Sequence, residues 1–153
     1  MAQLQRTLVL LKPDTIERGI TGEIITRFER VGAKIVGFKL LVSKKDTAQK
    51  HYTEDLAKRR GEKIRKMMID MLISGPVMAV VLEGIDIVDV VRKMTGSTEP
   101  HGAAPGTIRG DYAHISYNYA DKKGIGIFNL IRASDFSSFK TLSLIFLPSI
   151  FIT

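Results

Sequence analysis

The residues best suited to chemistry lie in and beside a glycine-rich stretch at positions 92–109. Arg92 and Arg109 flank this stretch, and Thr98 and Thr107 lie inside it. Glycines and prolines interrupt any helical or strand period there, so we expect a loop. Guanidinium groups, hydroxyls and free backbone N–H groups are the donors that a polyphosphate requires. The stretch therefore indicates phosphate binding, although a solvated loop with surface arginines would have the same composition.

Apolar runs predict the elements that must position this loop. Four strands are predicted, at residues 7–11, 34–42, 77–82 and 125–131. Helical spacing separates them, and three side chains are predicted to cap helices: Thr21, Ser43 and Asp86. Two strand–helix–strand units in succession predict an α+β fold, a ferredoxin-like βαββαβ sandwich whose four-stranded antiparallel sheet has helices packed on one face. Pro13 should end the first strand and leave Lys12 at its exit, where the residues alone favour an exposed lysine.

Length and composition limit the classes of protein that the chain can belong to. A chain of 153 residues predicts one domain, spanning residues 1–153, with a core of its own. The absence of cysteine excludes a disulfide framework and a thiolate metal site. The first residues lack the pattern of a signal peptide, and the longest apolar run is too short to span a bilayer, so we expect a cytoplasmic protein. The net charge of +7 suits anionic partners such as nucleotides, nucleic acid or an acidic membrane.

The densest basic cluster lies between Lys58 and Lys66. A nucleic-acid patch there is an unfavoured alternative, because no aromatic residues alternate with the charges as single-strand stacking requires. The same segment contains apolar residues at helical spacing, and we expect them to form a core stripe: Ile64, Met67, Met68, Met71 and Leu72.

Several short motifs resemble one family. Thr-Gly-Ser-Thr-Glu-Pro at 95–100, followed by Pro-Gly-Thr-Ile-Arg-Gly-Asp at 105–111, is similar to the signature of nucleoside diphosphate kinases. Further anchors occur in the family's order: Lys12-Pro13-Asp14, His51-Tyr52, Ser74-Gly75-Pro76-Val77 and Asn129-Leu130-Ile131 before Ala133-Ser134-Asp135. The resemblance covers about residues 6 to 135 and implies the same ferredoxin-like core.

The resemblance also implies a reaction and a site. The family moves the γ-phosphoryl group of a nucleoside triphosphate to a nucleoside diphosphate through a phosphorylated histidine. Its nucleotide-binding positions correspond here to Lys12, Tyr52, Ile64, Arg92, Thr98, Arg109 and Asn129. Mg²⁺ would bind through the phosphates, so the resemblance implies no metal ligand from the protein. The implied partners are nucleoside di- and triphosphates and further copies of the chain, since the family is built from dimers and usually forms hexamers.

The chain departs from the family at the reacting position. The place of the phosphorylated histidine is occupied by Arg132, and Ser143 stands where the acid that orients the histidine is expected. Arginine stays protonated and has no lone pair to attack phosphorus, so we predict strongly impaired transfer. His101, in the glycine-rich loop, is the one histidine considered as a substitute. The alternative function is a non-catalytic module that binds Mg²⁺-nucleotides or serves as an assembly subunit.

Two segments also differ from the family's pattern. About ten extra residues, at positions 113–124, are interpreted as an insertion in a surface loop. The tail at 136–153 is apolar where the family has an amphipathic helix with acidic residues. A changed reading frame and a genuine tail packed against a neighbouring subunit both explain that tail, and the residues do not choose between them.

Overall fold

The computed structural model of the chain describes residues 1–135 and contains a four-stranded antiparallel sheet. Its strands are β1 (Leu4–Leu11), β2 (Lys34–Val42), β3 (Pro76–Ile85) and β4 (Ile131–Ala133). They lie in the order β2-β3-β1-β4, so the most apolar strands, β1 and β3, occupy the centre. This is the sheet that the sequence predicted.

Eight α-helices and one 3-10 turn connect and follow these strands within residues 1–135. The helices are α1 (Pro13–Glu17), α2 (Thr21–Arg30), α3 (Lys45–His51), α4 (Glu54–Arg60), α5 (Glu62–Ile73), α6 (Ile87–Thr95), α7 (Ile108–Tyr112) and α8 (Tyr117–Lys123). The 3-10 turn spans Pro100–Gly102, inside the glycine-rich loop. None of the helices in this part of the chain is both long and apolar enough to cross a bilayer.

Side chains alternate along β1 and build a core on each face of the sheet. Leu8 and Leu10 pack with residues of α3 and α5 on one face. Val9 and Leu11 pack with residues of α2 and α6 on the other face. Helices therefore cover both faces, and the prediction that they cover only one is wrong. The continuous apolar run of β1 has this cause, because a strand buried on both faces has no polar side.

The last strand begins later than the sequence predicted. Residues 125–130 lie outside any strand, and β4 contains only Ile131–Ala133. Leu130 has a φ of 68°, a left-handed conformation that breaks a strand and that a side chain rarely adopts. Asp14 holds this backbone in place, since its Oδ2 accepts a hydrogen bond from the N–H of Leu130 at 3.0 Å.

The three helix caps predicted from side chains are also wrong in detail. Ile20 and Lys44 occupy the positions before α2 and α3, without a capping side chain. Asp86 does precede α6, but its Oδ1 accepts from the backbone N–H of Gln3 at 3.0 Å instead of from its own helix. Ser143 and the tail at 136–153 lie outside the described residues.

Candidate functional site

A cavity of about 440 Å³ opens beside the ends of β1 and β4. The nucleotide-binding positions implied by the resemblance and the position of the missing histidine all line it: Lys12, Tyr52, Ile64, Arg92, Thr98, Arg109, Asn129 and Arg132. His101 is exposed and is not among the residues that line the cavity. The structure thus brings together positions that are up to 120 residues apart in sequence, between Lys12 and Arg132.

Strand alternation accounts for the shared position of Lys12 and Arg132. Arg132 pairs with Leu10 across β1 and β4, and Leu10 faces α3 and α5. Lys12 is two residues beyond Leu10, so the alternation of strand side chains predicts the same face for it. Tyr52 follows the end of α3 on that face. The ends of β1 and β4 and the helices α3 and α5 therefore meet on one side of the sheet.

Arg109 is buried and bound to the main chain by every part of its guanidinium group. Its Nε donates to the carbonyl of Asn129 at 3.1 Å, and Nη1 donates to the carbonyl of Gly96 at 2.9 Å. Nη2 donates to the carbonyl of Ile131 at 2.5 Å. The side chain therefore ties the glycine-rich loop to β4. The pKa of Arg109 is lowered to about 10, mainly by burial; Tyr117 opposes this shift, and the charge of Arg132 contributes to it.

Lys12 and Asn129 form a second buried connection. Lys12 Nζ donates to Asn129 Oδ1 at 2.6 Å, and Asn129 Nδ2 donates to the carbonyl of Thr98 at 2.8 Å. Lys12 is only 4% exposed, so the composition-based expectation of an exposed lysine is wrong. The pKa of Lys12 is lowered to about 7, mainly by burial; Asp14 opposes this shift, whereas Arg109 and Arg132 contribute to it. Burial also raises the pKa of Asp14 above its ordinary value.

Arg132 differs from Arg109 in its contacts. Its Nε is buried and has no hydrogen-bond partner within residues 1–135. The charge of Arg132 also acts on His51. The pKa of His51 lies far below its ordinary value, mainly because of burial, and the charges of Arg132 and Lys12 contribute to this shift. We call the buried residues Lys12, Arg109 and Asn129, together with the half-buried Arg132, the inner end of the cavity.

The opposite part of the cavity, which we call the mouth, is formed by Arg60 of α4 and by Tyr117 and Asp121 of α8. The Arg60 guanidinium lies over the Tyr117 ring, 4.6 Å from its centre, and its Nη2 is 4.0 Å from Asp121 Oδ2. The backbone N–H of Tyr117 donates to Glu99 Oε1 at 2.8 Å, which attaches α8 to the glycine-rich loop. The segment 113–124 is therefore a wall of the cavity and not merely a surface loop.

Sequence reasoning missed several residues of the cavity. Arg60 was read only as part of a basic cluster, and nothing local to Tyr117 or Asp121 signals a site. Helical spacing placed the apolar stripe in the core, and Met71 and Leu72 are indeed buried. Met67 and Met68, however, are half-buried and line the cavity beside Ile64, the one member that the resemblance had placed at the nucleotide. Their helical period could not show which turn faces an opening.

The basic cluster at Lys58–Lys66 does not form one free cationic surface. Arg60 lies over Tyr117, and Lys66 Nζ donates to Asp70 Oδ2 at 2.7 Å. Arg65 donates to the carbonyl of Tyr52 at 2.8 Å and to Glu62 at 2.9 Å. These contacts give no support to a nucleic-acid site.

Carboxylates at the cavity are few. Asp121 and Asp135 are the only acids that line it within the described part of the chain, and no group of three or more His, Cys, Asp or Glu is placed there to hold a metal ion. This donor set fits a hard cation that arrives with a polyphosphate and keeps phosphate and water oxygens as ligands. Mg²⁺ itself stays a prediction.

Comparisons with known proteins agree with the geometry. The family model described as nucleoside diphosphate kinase matches residues 5–143, beyond Asp135, where the motif resemblance stops. The chain is 44% identical over 132 residues to the nucleoside diphosphate kinase of Borreliella burgdorferi, covering 86% of this chain and 79% of that protein. It is 45% identical over 150 residues to the enzyme of Pyrococcus furiosus, covering 97% and 86%.

Solved structures show the same likeness. One is a transition state mimic of nucleoside-diphosphate kinase from Borrelia burgdorferi with bound vanadate and ADP, at a TM-score of 0.85 and 40% identity, covering 95% of this chain and 85% of that one. Another is an NDP kinase from Pyrobaculum aerophilum, at a TM-score of 0.86 and 31% identity, covering 95% and 96%. The chain is therefore a member of the nucleoside diphosphate kinase family.

Proposed function

We propose that this protein binds nucleoside di- and triphosphates in the cavity but transfers phosphate very poorly. The observation that carries the proposal is the convergence on one cavity of every predicted site residue, with Arg132 among them. The cavity suits the ligand, because its inner end is buried and cationic while its mouth is aromatic and partly open. Support also comes from a relative that was solved with vanadate and ADP.

The side chains divide the ligand between them. Lys12, Arg92 and Arg109 supply the positive charge over the phosphates, and Thr98 lies where a hydroxyl can reach a phosphate oxygen. Asn129, held by Lys12, is positioned for the ribose side. Mg²⁺ bound through the phosphates would neutralise part of their charge.

Ile64 and Tyr52 complete the proposed site from α5 and from the end of α3. Both side chains line the cavity. Ile64 offers the base an apolar surface without ring stacking. Burial raises the pKa of Tyr52 to about 12, so its hydroxyl stays protonated at neutral pH.

Transfer fails in this proposal because the attacking group is missing. A guanidinium group has no free lone pair, so Arg132 cannot form a bond to phosphorus. His51 lines the cavity and is neutral at pH 7, because burial and the nearby cations lower its pKa. His51 is buried at 7% exposure and its ring lies edge-on to Tyr52, with centres 4.6 Å apart. We therefore do not assign the nucleophile to it.

The test is incubation with ATP labelled at the γ-phosphate, followed by measurement of acid-labile phosphate on the protein. The natural chain should incorporate almost none, and Arg132→His should incorporate far more. Loss of the nucleophile in an enzyme with a covalent intermediate costs up to about 10⁶-fold in turnover. Arg132→Gln is the matched control, since it removes the cation without supplying an imidazole. Strong phosphorylation of the natural chain, removed by His51→Asn, would contradict the proposal.

We also propose that the protein forms homo-oligomers. The support is an apolar row on the edge strand β2, where Phe38, Leu40 and Val42 are 61%, 55% and 67% exposed. An exposed apolar row on an unpaired edge favours pairing with another chain. Light scattering should give a dimer or a multiple of it, and Leu40→Lys should shift the mass downward. A monomer for the natural chain would contradict this proposal. The cytoplasmic location stays a prediction from the sequence.

A further inference from the structure

Two arginines of the inner end have opposite hydrogen-bonding states. Arg109 uses Nε and both terminal nitrogens on backbone carbonyls, so its role is already fixed by the protein. Arg132 Nε is buried and without a partner within residues 1–135. A buried donor left without an acceptor costs free energy, and a guanidinium group is costlier still. The natural partner for such a group is an anion that enters the cavity.

Asp14 and Asp121 do not supply that anion. Asp14 is buried beside Lys12; its Oδ2 accepts from the backbone N–H of Leu130, and its Oδ1 has no hydrogen-bond partner within residues 1–135, so it is not bound to Arg132. Asp121 lies at the mouth, 4.0 Å from Arg60. The two arginines of the inner end, Arg109 and Arg132, together with Lys12 when it is protonated, therefore outnumber the carboxylate beside them, that of Asp14.

The shape of the cavity sets the direction of a bound nucleotide. At the inner end Lys12 and Arg109 are 4% and 7% exposed, whereas the side chains of Arg60 and Asp121 at the mouth are 38% and 50% exposed. The aromatic ring of Tyr117 is also at the mouth. A phosphate chain therefore points inward and the base outward, so that the last phosphate reaches deepest.

We propose that Arg132 binds the terminal phosphate of a nucleoside triphosphate and makes the cavity select triphosphates over diphosphates. The inference rests on the proposed nucleotide binding and adds the ligand class and the residue that chooses it. Because Arg132 lines the cavity, a triphosphate places a charged oxygen against its guanidinium group, whereas a diphosphate is shorter and leaves the group without that partner. No bond is made or broken, and the triphosphate is released unchanged.

The experiment is calorimetric titration with ADP and with an ATP analogue whose β,γ-bridging oxygen is replaced by an imido group. The natural protein is compared with Arg132→Gln, which removes the charge, and with Arg132→Lys, which keeps the charge but loses the planar fork. Arg30→Gln is the matched control, because Arg30 is exposed on α2 and does not line the cavity, yet the change in net charge is the same. Circular dichroism during thermal unfolding establishes that each variant is folded.

We expect the natural protein to bind the triphosphate analogue roughly tenfold to a hundredfold more tightly than ADP, the usual value of a charged hydrogen bond. Arg132→Gln should remove most of this ratio by weakening triphosphate binding, and Arg132→Lys should retain part of it. Arg30→Gln should leave it unchanged. An equal loss for both nucleotides in a folded Arg132→Gln, or a natural preference for ADP, would overturn the inference while leaving nucleotide binding intact. Absence of binding for both nucleotides would overturn the proposed function and this inference with it.

Discussion

The inner end and the mouth of the cavity are built in different ways. At the inner end, the guanidinium group of Arg109 and the amine of Lys12 are buried and bound to carbonyl or amide oxygens. At the mouth, Arg60 meets Tyr117 through a ring face and Asp121 across 4.0 Å, with no hydrogen bond between these side chains. The inner end therefore has one geometry, whereas the mouth has contacts that can be exchanged at small cost.

This difference matches the two halves of a nucleotide. Phosphates have the same shape in every nucleotide, so a rigid cationic end suits all of them. Bases differ in size and in hydrogen-bonding groups, so a mouth of aromatic and long cationic side chains accommodates the variation. Arg132 is the exception, because it belongs to the inner end by position but its buried Nε has no hydrogen-bond partner within residues 1–135.

The largest expected effect is on stability at the inner end. Arg109→Gln removes bonds to three carbonyls, two of which belong to Asn129 and Ile131. We expect the free energy of unfolding to fall by about 3 kcal/mol or more, because buried carbonyls lose their donors. Chemical denaturation measures this loss. Arg60→Gln at the mouth is the control and should cost less than about 1 kcal/mol. Equal losses of unfolding free energy in the two variants would contradict the difference between the inner end and the mouth.

The glycine-rich loop should be nearly as sensitive at Gly110. A Cβ at this position would lie 2.0 Å from the backbone carbonyl oxygen of Ala104, so Gly110→Ala must displace the loop. We expect a loss of about 2 kcal/mol in unfolding free energy and weaker nucleotide binding. Gly102→Ala is the control, since its Cβ would meet no atom within 4 Å and should change stability by less than about 0.5 kcal/mol. A neutral Gly110→Ala would show that the loop does not need its close packing.

Nucleotide binding should be accompanied by proton uptake at Lys12. The pKa of this lysine is about 7 in the free protein, mainly through burial, so most molecules carry a neutral amine at about pH 8. A bound phosphate favours the charged amine, so a proton is taken up there, and uptake should vanish below about pH 6. Calorimetry in buffers of different ionisation enthalpy measures it. Lys12→Gln should abolish the uptake, and undiminished uptake in that variant would assign it elsewhere.

The same shift of the Lys12 pKa predicts how stability depends on pH. The unfolded chain binds a proton at Lys12 up to its ordinary pKa of 10.5, whereas the folded chain loses it near 7. Between these values the unfolded state holds more protons, so stability should rise with pH relative to Lys12→Gln. Below pH 7 this difference should level off. If the stability of the natural protein relative to Lys12→Gln instead fell as the pH rose, this would contradict the lowered pKa of Lys12.

The smallest expected effect is at the mouth. The contact between the Arg60 guanidinium and the Tyr117 ring should couple the two residues by about 0.5 kcal/mol, the value of an exposed cation–π pair. Arg60→Ala, Tyr117→Ala and the double variant form a cycle that measures it by denaturation. Nucleotide affinity should fall less than about tenfold in each single variant. If Tyr117→Ala lowered the free energy of unfolding more than Arg109→Gln, the mouth would be the more rigidly built region, contrary to this prediction.

The inner end could be predicted from sequence because its residues belong to short motifs. Asn129 and Arg132 belong to one motif and Arg109 to another, and the resemblance of these motifs to those of the family identifies the positions. The mouth could not be predicted, because Arg60 and Tyr117 meet only through tertiary packing of two short helices. Nothing in the local sequence of either helix indicates the other.

The fold shows the same limit. The strands of the sheet were predicted because apolar runs identify them, but residues 125–130 are also apolar in part and form no strand. The left-handed backbone of Leu130 prevents a strand there, and this backbone conformation is stabilised by a hydrogen bond to Asp14, which is distant in sequence. Ile127 and Leu130 are buried although they pair with no strand, so their sequence has the same apolar pattern as a buried strand.

The pairing of Leu10 with Arg132 has a consequence for how such a protein can change over time. The direction of the side chain at position 132 is dictated by its place in the ladder and not by its own chemistry, since Ile131 before it faces the opposite core. Exchange of one side chain for another there leaves the surrounding architecture in place, whereas insertion or deletion of a single residue would turn the position into the apolar interior. A protein of this fold can therefore lose the reactive side chain at this position through one substitution and keep the cavity around it.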